Sequence, residues 1–200
     1  MFVLTVDQRG SRRDVDRVAD ILGRSTTLLR PFERTAGDEV QAVSDDATDT
    51  LDTALALVED GHWSVGIGVG SVEDPLPAST RAGRGPAFEA AREAVDSAKN
   101  SPAHIAVRGR HGASAADADA VTTLLATLLV RRSEQGRAAV DSVRRLGSQT
   151  AVAAELSITP QAVSQRLSVA GWHAERAARP VVARLLADAD RLARDEGSRA

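Results

Sequence analysis

Gln149-Thr150-Ala151-Val152-Ala153-Ala154-Glu155-Leu156-Ser157-Ile158-Thr159-Pro160-Gln161-Ala162-Val163-Ser164-Gln165-Arg166-Leu167 reads as two short helices joined by a tight turn. Thr159 offers a hydroxyl to the free N–H groups of the second helix, and Pro160 takes its first position, where a missing N–H costs nothing. Ala153 is small enough to let two helices cross closely, while Leu156, Ile158, Val163 and Leu167 fall on a shared inner face. With Val163 and Leu167 turned inward, helical geometry points Gln161, Ser164, Gln165 and Ser168 outward. Ser157 occupies the turn at a place where glycine is common.

The charge around this stretch differs from the rest of the chain. Residues 1–110 carry 13 basic and 18 acidic side chains, whereas Arg131 to Arg184 hold nine arginines against four acids, a local excess of +5 inside a net charge of −3. A polyanion would find its partner in that second region. Two hundred residues with 42% hydrophobic content suffice for two packed modules and exclude a disordered or fibrous chain. With no cysteine there is neither a disulfide framework nor a thiolate site. Three Phe, two Trp and no Tyr leave little for a platform that stacks single-stranded bases. No apolar run approaches about 18 residues and no leader is recognisable, so a cytoplasmic protein without a membrane partner is expected.

Upstream, Phe2 to Val6 is a β-branched run that stops at Asp7, and Val15, Val18, Ala19 and Leu22 then recur at helical spacing. A β pattern from Phe32 to Val43 is broken by the turn dipeptide Gly37-Asp38. Leu51, Ala54, Leu55 and Val58 predict a helix, Trp63 to Val69 a strand whose alternate residues are glycine, Ala87 to Lys99 a helix, and His104 to Val107 a last strand. The order β-α-β-β-α-β-α-β contains a ferredoxin-like βαββαβ unit, an antiparallel sheet with helices on one face. Everything beyond is helical: a connector within 111–135, then a helix-turn-helix region over 136–200 with segments near 137–146, 149–156, 160–169 and 173–194. The fold expected is thus an α/β palm at 1–110 followed by an all-α domain.

Residues Gln149 to Ala170 resemble the helix-turn-helix of bacterial DNA-binding proteins, including sigma-like and MarR-like regulators. The resemblance implies a second helix lying in the major groove of double-stranded DNA, with Gln161 and Gln165 as base readers, since glutamine pairs bidentately with adenine. Thr159, Ser164 and Ser168 would line the same face, and Arg144, Arg145 and Arg166 would hold phosphates. A helical hairpin with a merely solvated outer face would show the same pattern.

Three further pieces, Phe2 to Asp7, Arg34 to Gln41, and Val65 to Gly70 with Gly85 to Arg92, resemble the SatD-like family and more distantly the palm of class III nucleotide cyclases and GGDEF domains. In that resemblance Asp7 and Asp38 match aspartates that hold magnesium on a nucleotide's phosphates, Arg34 a base-selecting position and Arg92 an arginine steadying the transition state. Phe88 stands where a catalytic asparagine would lie, which argues against cyclisation. The alternative for Asp7 and Asp38 is a pair of turn aspartates capping local N–H groups. Asp45, Asp46, Asp49 and Asp52 read as a solvated helix start, and His62, His104, His111 and His173 lack metal-ligand spacing.

These readings converge on a sequence-specific DNA-binding protein acting as a homodimer in transcriptional regulation, with the palm for dimerisation or ligand sensing. A magnesium-dependent nucleotide-converting enzyme and a non-catalytic scaffold are the competing classes.

Overall fold

A computed structural model describes residues 1–11, 13–23 and 27–197. The first apolar run becomes β1 (Phe2–Gln8), the middle strand of a five-stranded sheet. β3 (Glu39–Ser44) and β4 (Trp63–Val69) flank it, both antiparallel; β2 (Arg30–Ala36) and β5 (Ile105–Gly109) form the edges, giving the order β2-β3-β1-β4-β5. β5 runs parallel to β4, with Val65 opposite Ile105 and Val69 opposite Gly109. The sheet is therefore mixed where an antiparallel one was expected. The reason is α3 (Pro86–Lys99), which carries the chain back along the sheet between β4 and β5, so the strand after it repeats the direction of the one before.

Helices cover both faces of the sheet, not one. Phe2, Leu4 and Val6 of β1 point into the larger core, together with Leu51, Leu55 and Val58 of α2 (Ala47–Asp60) and Val18 and Ile21 of the short α1 (Val18–Leu22). On the other face Val3 and Val43 meet Ala87, Phe88 and Ala91 of α3. That approach explains the glycines of β4: a Cβ on Gly66 would stand 2.3 Å from the Val95 nitrogen, and one on Gly68 2.1 Å from the Ala87 carbonyl oxygen. The alternation keeps one face of the strand empty so that a helix backbone can occupy it.

The helical half is not a detached module. α4 (Gly112–Val130) contributes Ala118, Leu125 and Leu129 to the larger core, and α8 (Trp172–Gly197) returns to it with Val182, Leu186 and Ala189. The expected boundary near residue 136 thus divides the chain but not the core, because α8 is long enough to serve both parts. A second, smaller core closes α5 (Glu134–Leu146), α6 (Gln149–Glu155) and α7 (Pro160–Val169) around Val140, Val152, Val163 and Leu167, with Trp172 at its margin. Within α8, Trp172 borders this small core, whereas Ala178, Val182, Leu186 and Ala189, on both sides of Pro180, face the larger one.

Candidate nucleic-acid interface

Each end of the three-helix unit is fixed by a side chain or a turn that the sequence supplies. Ser133, Ser148 and Thr159 are the N-caps of α5, α6 and α7, and the Thr159 hydroxyl accepts the Ala162 N–H at 3.2 Å. Ser157 adopts φ +53° in the turn between α6 and α7, the left-handed conformation that favours glycine. The Ile158 N–H, bonding back to the Ala153 carbonyl at 3.0 Å, fastens that turn. Val163 and Leu167 are fully buried beneath α7, and Thr159, Gln161, Ser164, Gln165 and Ser168 are exposed on its outer side, with Val169 79% exposed beside them. Arg166 lies at the edge of this face, half-buried and without an acidic partner among the described residues.

Two of the three expected phosphate arginines are engaged elsewhere. Arg145 donates to both carboxylate oxygens of Glu155, at 2.8 Å each. That guanidinium, together with the Ser142 hydroxyl, pulls the Glu155 carboxyl down to about 2. Arg144 donates to Glu59 at 2.9 Å and Glu175 at 2.6 Å, and stands 5.7 Å from the centre of the Trp172 ring. Its expected place on a phosphate is corrected accordingly: α5 turns this residue toward α2 and α8, and the acids it meets are 85 and 31 residues away in sequence.

Arg144 belongs to an ion-pair cluster that sequence reasoning missed. Arg132, its side chain 1% exposed, donates to Glu59 at 2.8 Å, to Glu175 at 2.6 Å and to the Ala170 carbonyl that ends α7 at 2.9 Å. Arg179 bridges Glu175 and Asp52 of α2. Burial pushes the Glu175 carboxyl up, but the Arg132 hydrogen bond and the charges of Arg179 and Arg144 outweigh it and hold the group below the usual range. The cluster ties α2, the α4–α5 junction, α5 and α8 into one arrangement; through it Arg132, Arg144 and Arg179 are paired with acids, and Arg145 is paired separately with Glu155. Of nine arginines from Arg131 to Arg184, five keep no acidic partner among the described residues: Arg131, Arg137, Arg166, Arg176 and Arg184. Two local pairs could have signalled the cluster, Glu175 with Arg179 four residues on and Asp141 with Arg144 three residues on.

At the other end of the sheet, Asp7 lies opposite Glu39 in the β1–β3 ladder, one residue from Asp38 in the hairpin. Asp7 is paired with the Lys99 ammonium at 3.0 Å, and Lys99 also reaches Asp96 at 3.3 Å. An ammonium thus stands beside Asp7 where a metal ion would, and these residues do not fit magnesium as arranged. Arg34 donates to Asp16 and to the Gly37 carbonyl, both at 2.6 Å, so it stabilises the hairpin and the loop before α1. Arg92 is exposed on α3, two turns before Lys99. Phe88 is buried, its ring filling the space that a side chain at Gly83 would need. It is a packing residue beneath the loop that leads into α3.

Comparison of the chain with family models, curated proteins and solved structures finds no match.

Proposed function

We propose that this chain is a cytoplasmic, sequence-specific DNA-binding protein acting in transcriptional regulation, with α7 as its reading helix. The observation that carries the reading is the polar outer face of α7, Gln161, Ser164, Gln165 and Ser168, all exposed on a helix whose start is capped and whose inner face is closed over a small core. Base readout requires donors and acceptors held at fixed positions, and a capped helix closed over a core holds them so. Gln161 and Gln165 each offer an amide for the bidentate adenine contact, and Val169 offers an apolar group for a thymine methyl. Arg166 is the phosphate contact nearest this face, and Arg137 and Arg176 are the other cations of the small-core region without acidic partners among the described residues.

On this reading the first four strands with α1 and α2 form the ferredoxin-like unit of a SatD-like palm, extended by α3 and β5. The palm serves as platform and partner-binding module. Selection of bound duplexes from a random pool with the full chain, followed by anisotropy titration, tests the proposal. A recovered consensus bound at least ~10³-fold more tightly than random duplex is the expected result. Absence of duplex binding at about 50 mM salt, or equal affinity for all sequences, overturns it.

A further inference from the structure

One face of α4 packs on β5 and α8; the opposite face has no partner among the described residues. Ala113, Asp117, Ala120, Leu124, Thr127 and Arg131 follow one another at spacings of four and three residues, the alternation that keeps a helical seam straight against a second helix. Five of the six are exposed, Leu124 at 70%, and Thr127 is partly so. The helix as a whole is apolar, with mean hydropathy 1.4 over an 18-residue window of which 33% is buried. Asp117 and Arg131 lie two heptads apart on this seam, and neither has an ion-pair partner among the described residues.

We propose that this seam is the site at which a second copy of the chain docks, with the two α4 helices antiparallel about a two-fold axis level with Thr122. In that pairing Leu124 of one copy fills the notch over Ala120 of the other. The same operation sets Ala113 opposite Arg131 and Asp117 opposite Thr127, so Asp117 falls within one turn, about 6 Å, of the other copy's Arg131. The stripe is self-complementary: acid toward its N-terminal end and base at its C-terminal end meet only when a second, reversed copy lies on it. The charges also decide against the other apolar occupant. A bilayer surface would have to take in Asp117 unpaired, whereas the reversed copy neutralises it.

The inference does not rest on DNA binding, and its test contains no DNA. Sedimentation velocity of the full chain across a range of concentrations should show a monomer–dimer equilibrium. Leu124→Glu should raise its dissociation constant by at least about tenfold. Asp117→Arg and Arg131→Asp should each weaken the dimer, and the double exchange should restore it, because both salt links are then remade with reversed sign. Far-UV circular dichroism confirms that each variant is folded, since all three positions are exposed. A wild-type monomer at every concentration overturns the proposal, as does a dimer that Leu124→Glu leaves intact. Co-sedimentation of the wild type with phosphatidylcholine–phosphatidylglycerol vesicles, abolished by Leu124→Glu in a chain that stays monomeric, would give the face to the membrane instead.

Discussion

Glu175 has no exposed side-chain surface, yet its carboxylate receives Arg132, Arg144 and Arg179. Removing its charge takes away the acid that all three guanidiniums share, but Arg132 and Arg144 keep Glu59 and Arg179 keeps Asp52, so the loss stays at or below the about 3–5 kcal/mol of a fully broken buried pair. Glu175→Gln is therefore expected to lower the unfolding free energy of the full chain, read from urea denaturation, by up to that order, whereas Asp141→Asn, exposed and 3.7 Å from Arg144, should change it by less than about 1 kcal/mol. The Arg145–Glu155 pair is of the other kind, exposed and local. The Glu155 carboxyl titrates near 2 in the folded chain against an ordinary value of 4.5. Its contribution is then full above 4.5 and disappears as pH falls toward 2. The wild type should accordingly lose more stability than Glu155→Gln between pH 6 and pH 3, and denaturation curves of the two at both values measure the difference. What the sequence made legible among these residues was what local geometry decides: the Thr159 cap, the inward Val163 and Leu167, the outward glutamines. The partners of Arg144 were not legible, because Glu59 and Glu175 reach it only after α2 and α8 have packed.

The strand Trp63–Val69 poses the same question for an element. Gly66, Gly68 and Gly70 alternate with buried apolar residues, and the alternation correctly implies a strand with one small face. What fills that face cannot be read from the strand itself. The answer is the backbone of α3, which passes so near that Gly68 has the Ala87 carbonyl oxygen 2.1 Å from where its Cβ would be. Backbone cannot yield as a flexible side chain can, so Gly68→Ala must push α3 away, and overpacking of this sort costs about 1–3 kcal/mol. At Gly70 the nearest atom would be 3.3 Å away, so Gly70→Ala should be clearly milder. Thermal melts of the two variants check the order, and equal losses would mean that α3 is free to shift. The parallel edge was equally hidden: the order of elements was correct in sequence, but the direction of β5 depends on α3 crossing the sheet. Phe88 belongs to the same packing, which is why its position carries no information about phosphate chemistry.

For the whole molecule, the ion pairs separate arginines engaged in internal scaffolding from those that, under the proposed function, would be available to DNA. The nine arginines of the helical region look alike in sequence, and four of them are spent on acids of the same chain, two of which, Asp52 and Glu59, come from the palm. Substitutions should therefore fall into two classes that salt titration distinguishes. Arg166, half-buried at the edge of the α7 face, has no acidic partner among the described residues; Arg166→Ala is expected to weaken binding to all duplexes and to reduce the slope of log K against log salt by about 0.9 for the one phosphate contact removed. Gln165→Ala should leave that slope unchanged and cost ~1–3 kcal/mol on the preferred site alone. Arg144→Ala should behave like neither. It breaks the ion-pair cluster that holds α5 against α2 and α8, so its first effect is a lower melting temperature without DNA, and any loss of affinity should shrink as temperature is reduced. If Arg144→Ala instead kept the wild-type melt and lowered the salt slope as Arg166→Ala does, the cluster would not be what positions α7.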